Sequence, residues 1–269
     1  GYIWQRAAGN EDAFFTQFGQ HPGFVLDDFV LAYAPKKDGA EMFAVKAFGF
    51  GGAEPAQHGS VFFKPNSAWI LSLNYDRQVS FFGLADTDLF TQRGQWAIQR
   101  WKGAVVWDGW PAARLALTLR YTKRDGHQYR PVFGLATQYP MRNNYDQSMK
   151  EAAFRIDTKT LPVYLSFEQS FARYERNDRW EPAGPAPLFD TNINPLVGLS
   201  TPRGNSTDVP TSRLIASYRN DRVEVAGSFL YSRADMDSTG SRTLAFDLQH
   251  GAVGQVQYID NLVGSARQD

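Results

Sequence analysis

The fold class predicted by the sequence is all-β: an antiparallel transmembrane β-barrel of which about twelve strands can be read. Three observations predict it. Segments of alternating polarity recur along the whole chain while no helical period of apolar residues appears, short turns alternate with long polar connections, and aromatic residues collect near strand ends. The stretch "AARLALTLRYTKRDG", residues 112–126, carries the pattern most clearly: Ala113, Leu115, Leu117, Leu119 and Tyr121 fall on one face of an extended chain, and Arg114, Ala116, Thr118, Arg120 and Thr122 on the other.

Taken in order, the strand-like segments are 22–35, 40–51, 60–64, 67–77, 96–109, 112–124, 150–158, 161–176, 210–219, 222–234, 241–249 and 252–262. Tight turns are expected at Lys36–Gly39, Pro65–Asn66, Trp110–Pro111, Lys159–Thr160, Asn220–Asp221 and His250–Gly251. Longer connections are expected at 52–59, 78–95, 125–149, 177–209 and 235–240, and the two longest are rich in Pro, Gly, Asn and Thr, which favour loop over packed structure. The same hairpin grammar continues on both sides of these loops. The chain therefore divides into an N-terminal segment, 1–21, and one barrel, 22–269, with long loops at the cell surface and tight turns in the periplasm. Several strands reach the ten or so residues a tilted strand needs to cross a bilayer. Trp101, Trp107, Trp110, Tyr121, Tyr218, Phe229 and Tyr231 lie near their ends, at the level expected of head groups. A large soluble antiparallel sandwich or barrel gives the same period-two signal and stays open at this point.

Composition narrows the function classes. Twenty-eight basic residues balance 28 acidic ones, so no whole-molecule field draws the chain to nucleic acid. Without cysteine there is no disulfide, thiol nucleophile or covalent haem attachment. No apolar run is long enough for a transmembrane helix. The opening "GYIWQRAAGNEDAF" lacks a basic region followed by an apolar one, so a secretory leader is expected to be already removed or never present.

Candidate chemistry is sparse. His21, His58, His127 and His250 fall in expected loops or turns without metal-ligand spacing, and no nucleophile-elbow motif occurs, Ser238 lying in an expected loop. "FGFGG" at 48–52 follows a strand with no helix after it, so it reads as a strand end rather than a phosphate cradle. Asp27 and Asp28 point to opposite faces and do not share a cation. The residues expected to face a lumen are Arg114, Thr118, Arg120, Arg155 and Asp157, a polar surface of mixed charge, suited to water or to an enclosed protein.

The segments "GFVLDDFVLAYAPKKDGAEMFAVKAFGFGG", "AWILSLNYDRQ", "WKGAVVWDGWPAARLALTLRYTKRDG" and "TSRLIASYRNDRVEVAGSFLYSRADMD" resemble the repeated hairpins of MtrB/PioB-type, decahaem-associated outer-membrane barrels. The resemblance implies a non-enzymatic sheath in the bacterial outer membrane, surrounded by lipid, that holds a multihaem c-type cytochrome for electron transfer, the haem belonging to the partner and not to this chain. Three features depart from that pattern. No C-x-x-C stands near the N-terminus, "NLVGSARQD" lacks a terminal aromatic residue, and family barrels are about twice as long, so the expectation divides between a piece of a longer barrel and a smaller pore. A solute porin, a soluble β-rich binding protein and a barrel enzyme are the alternative readings.

Overall fold

The computed structural model describes residues 2–3, 23–35, 41–51, 56–83, 93–134, 137–159, 163–182, 196–219, 222–240, 243–248, 252–256 and 264–268. They form sixteen strand segments and no helix. The segments are β1 (Tyr2–Ile3), β2 (Gly23–Phe24), β3 (Leu26–Tyr33), β4 (Met42–Phe50), β5 (Ala56–Lys64), β6 (Trp69–Gly83), β7 (Arg93–Trp107), β8 (Ala113–Gly134), β9 (Thr137–Thr158), β10 (Val163–Pro182), β11 (Leu196–Arg219), β12 (Glu224–Ser232), β13 (Ala234–Gly240), β14 (Thr243–Leu248), β15 (Ala252–Val256) and β16 (Gly264–Gln268).

Strands β3 to β11 pair each with the next, all antiparallel, as local hairpins dictate. β12, β13 and β14 lie one after another along β11, and β15 and β16 return along β14 and β13. Among the described residues the sheet is open, with β3 at one edge and β12 paired on one side only. β1 and β2 form a separate pair that ties the start of the chain to residues 23–24. The rest of the expected 1–21 segment lies outside the described residues, as do the turn residues at 36–40, 160–162, 220–221 and 249–251.

The two described tight turns have clear local causes. Asn66 Oδ1 accepts hydrogen bonds from the backbone N–H of Ala68 (2.9 Å) and Trp69 (3.1 Å), so the Asn side chain itself closes the β5–β6 turn. The β7–β8 turn is tied to the next one. Lys159 Nζ donates to the carbonyls of Asp108 (2.9 Å) and Trp110 (3.0 Å), and its backbone N–H donates to Ala112 (3.0 Å).

All five expected long connections prove to be wholly or partly strand, 52–59 through β5, which begins at Ala56. β8 and β9 run 22 residues each, paired from Ala113↔Thr158 to Gly134↔Thr137, so 125–149 is the far half of a hairpin rather than a loop. In the same way β10 and β11 take up both ends of 177–209, β6 and β7 both ends of 78–95, and β13 fills 235–240. His58 and His127 are consequently strand residues, and so is Ser238, whose hydroxyl donates to Asn205 Oδ1 at 2.7 Å. The physical reason is that both faces of these extensions are polar, so the alternation that marks a half-apolar strand is missing although the backbone ladder continues. "KRDG" does not end β8 because Gly126 takes φ 143°, a conformation open to glycine, and a Cβ there would lie 2.2 Å from the Gln95 carbonyl oxygen. "FGFGG" is a strand end as read: Gly49 has φ 68° and β4 stops at Phe50.

Register assigns each side chain to a face. One face of the lower sheet carries apolar rows such as Phe63–Leu71–Val105–Leu117–Phe154 and Val61–Leu73–Gly103–Leu119–Ala152–Phe171. Aromatic contacts bound it at two levels, Trp69 with Trp107 (6.1 Å) and Phe43 with Phe63 (6.3 Å) near the tight turns, Tyr75 with Trp101 (4.4 Å) at the other end. Six residues separate Trp69 from Tyr75 and eight separate Val163 from Phe171, about 20 and 27 Å of strand. No second layer covers this face among the described residues: the buried apolar side chains are nine, seven of them alanine or valine, whereas 28 large apolar ones are exposed, including Leu117 at 43% and Leu119 at 54%. A water-soluble domain of this size rarely leaves so wide a contiguous apolar patch uncovered.

Candidate functional site

The opposite face is where polar chemistry gathers. Arg114, Thr118 and Arg120 on β8 and Arg155 and Asp157 on β9 all share it, as alternation and the register Arg114↔Asp157, Ala116↔Arg155, Thr118↔Ala153 and Arg120↔Glu151 require. Thr118 belongs to a row of small side chains seven strands wide, Ser72–Ala104–Thr118–Ala153–Ser170–Thr211–Ser232, in which the last two hydroxyls are 3.0 Å apart. Charged rows flank it, Lys102–Arg120–Glu151 toward one end of the strands and Arg155–Glu168–Arg213 toward the other. The result is a shallow trough floored by small groups and edged by charge.

The five expected residues have different surroundings. Arg120 Nη1 donates to Glu151 Oε1 at 2.5 Å, a cross-strand pair with an exposed cation. Asp157 is buried at 8% exposure; it accepts from Ser166 Oγ (2.7 Å) and Tyr164 OH (3.1 Å) and faces Arg155 Nε at 3.2 Å. A buried carboxylate with three donors is a fixed structural anion rather than a mobile one. Arg114 Nε is buried without a hydrogen-bond partner, although Asp157 is its register neighbour. Thr118 is half-buried.

Beyond the Tyr75–Trp101–Tyr121 level the same strands carry a polar cluster absent from the expectations. Asp178, 2% exposed, takes a charge-assisted contact from Arg176 and a 3.0 Å hydrogen bond from Gln147 Nε2. Tyr145 OH donates to Gln128 Oε1 at 2.8 Å on the same face, while Asn144 bonds Glu181 on the opposite one. The Arg124 guanidinium lies between two rings, 4.9 Å from the centroids of both Trp96 and Tyr145. Partial burial, with the Arg142 charge adding to it, holds His127 below the ordinary imidazole range. On the same face as His127, which is that of Tyr121 and the leucines below it, hydrogen bonds from Lys150 and Arg173 hold the Glu175 carboxyl below the usual carboxylate range. His58 Nδ1 lies 2.7 Å from Asp76 Oδ1 across β5 and β6.

These pairings depend on register across residues 125–149 and 177–209, and a chain read there as loop has no register. The one signal available was a weak polar alternation, "YERNDRW" at 174–180. Among the described residues no group of three or more His, Asp or Glu side chains converges to hold a metal ion. Comparison with protein-family models, with curated proteins and with solved structures finds no match.

Proposed function

We propose that this chain is wall rather than enzyme: part of a β-barrel in the bacterial outer membrane whose apolar face meets lipid and whose polar face lines the interior. The observation that carries the reading is the exposed apolar face bounded at two levels by aromatic rings, with rows of charge and small hydroxyl groups directly behind it. Its extent along the strands, about 20–27 Å, corresponds at the usual tilt of barrel strands to a height of roughly 15–21 Å, approaching the apolar belt of about 25 Å found on outer-membrane barrels. In hydrocarbon the free edges of β3 and β12 each need a partner strand, since an unpaired backbone group there costs several kcal/mol. Closure of the sheet, with these or with further strands, is therefore part of the proposal.

The resemblance to MtrB/PioB-type barrels favours one occupant of the interior, a multihaem c-type cytochrome. In that reading Arg114, Thr118, Arg120, Arg155 and Asp157 stand on the wall facing the cytochrome, and all haem is brought by the partner, because a chain without cysteine cannot attach it covalently. Ten strands from β3 to β12 are too few to surround a folded cytochrome, so the sheath needs a wider barrel than these strands alone make. Purification of the intact protein from membranes in mild detergent tests this. A co-purifying low-spin haem spectrum is expected; a closed, haem-free barrel that conducts small ions in planar bilayers would defeat the sheath and leave a porin.

A further inference from the structure

Strands β7 to β11 form a concavity of about 480 Å³ on the polar face, above the aromatic level, where Arg100, Thr122, Arg124, Arg176, Asn205 and Thr207 stand round a largely apolar floor that includes Ile98, Met149 and Tyr174. Three guanidinium groups therefore meet round one hollow. Arg100 is diagonal to Arg124, since its register partner is Thr122, and one strand separates Arg124 from Arg176, since both pair with Gln147. That spacing puts the three Cα atoms within roughly 7–10 Å of their neighbours.

Each arginine is held differently, and the differences matter. Arg176 is neutralised by buried Asp178. Arg124 is immobilised by Trp96 and Tyr145, which fix its plane but supply no negative ion, so its charge stays uncompensated. Arg100 is exposed; its register partner on β6 is Asp76, whose carboxylate is engaged by His58 Nδ1 at 2.7 Å, and no ion pair to Arg100 forms among the described residues. Glu175 also borders the hollow, yet Lys150 (3.2 Å) and Arg173 (2.9 Å) engage its carboxylate on the sheet's other face. Two cations thus remain unmatched beside the hydroxyl groups of Thr122 and Thr207 and the amide of Asn205. Arg124 Nε is buried without a hydrogen-bond partner, and a planar guanidinium packed against two rings with N–H groups left unsatisfied suits an oxyanion.

We propose that this concavity binds a small molecule through an oxyanion, phosphate or carboxylate, with Arg124 and Arg100 as its principal partners and Thr122, Asn205 and Thr207 as neutral donors. The proposal concerns the polar extension alone and stands whatever the apolar face meets. Isothermal titration of the purified full-length chain in detergent micelles at low salt, with inorganic phosphate in one arm and citrate in the other, tests it and separates the two anion chemistries. Saturable binding is expected in at least one arm, weakened about tenfold by Arg124→Gln and again by Arg100→Gln, and unchanged by Arg219→Gln at a distant turn. Arg124→Lys keeps the charge but loses the fork, and is expected to bind nearly as poorly as Arg124→Gln. Should Arg124 variants fail to fold, Arg100→Gln decides, because its side chain has no part in the aromatic clamp. Absence of saturable heat in both arms at millimolar anion, or equal binding by wild type and Arg100→Gln, would overturn the site.

Discussion

The lower and upper halves of β8 belong to one unbroken ladder, yet they are built for different surroundings. From Ala113 to Tyr121 the strand sets a leucine face against a charged one, and Leu117 and Leu119 lie bare. From Thr122 onward the polar groups themselves are buried or bonded, with Tyr145, Asn143 and Asp178 on the neighbouring strands each at most 8% exposed. Backbone pairing is the same throughout, so hydrogen bonds do not distinguish the halves. The side chains do: in the lower half apolar groups need a nonaqueous neighbour, and in the upper half a polar network holds its own face together.

The sharpest way to break this comparison is to place a charge on the lower apolar face. Leu117→Arg is expected to prevent stable insertion, since arginine at the lipid midplane of a barrel costs about 2–4 kcal/mol. Thr118→Arg, one residue along and on the polar face, is expected to be tolerated. Heat-modifiable migration of the two variants on gels compares them, and equal behaviour would remove the difference between the faces.

The upper half is expected to fail locally instead. Asp178→Ala deprives Arg176 and Gln147 of their shared acceptor, and loss of a buried charge-assisted pair costs about 1–3 kcal/mol. Hydrogen exchange should show faster opening of residues 174–182 and 141–148 with protection of 113–121 unchanged. Uniform loss of protection along the ladder would mean that the halves are one cooperative unit.

The smallest effect expected is pH-dependent. The folded-state pKa of His127 is lowered from 6.5, so the folded chain binds fewer protons there than the unfolded one. The stability this contributes is complete above 6.5 and declines as pH falls through 6.5 toward the folded value. His127→Gln should therefore flatten the stability profile on the acidic side of neutrality, as read by denaturant midpoints. A steeper profile in the variant would contradict the assigned direction.

How much of this was legible beforehand follows from the same contrast. Leucine alternation from 113 to 121 placed that strand and put Arg114, Thr118 and Arg120 on one side of it, because a half-apolar strand carries its own period, and the register sets Arg155 and Asp157 beside them. The extensions were invisible for the complementary reason. Residues 125–149 and 177–209 are largely polar on both faces, glycine at 126 imitates a terminator, and their partners lie on neighbouring strands, up to about 20 residues away within the β8–β9 extension and farther between β9 and β10. Arg124 illustrates the limit: nothing near it in sequence places it between Trp96 and Tyr145, 28 residues before and 21 after.

The account rests on lipid meeting the leucine face, and a cysteine-free chain makes that directly measurable. Single cysteines replacing Leu117, Leu119 and, above the aromatic level, Lys123 would each carry an environment-sensitive fluorophore in reconstituted bilayers. Quenching by nitroxides on the acyl chains is expected to be strong at 117 and 119 and weak at 123, with a water-soluble quencher giving the reverse order. Strong aqueous quenching at 117 and 119, with none from the acyl chains, would contradict the account.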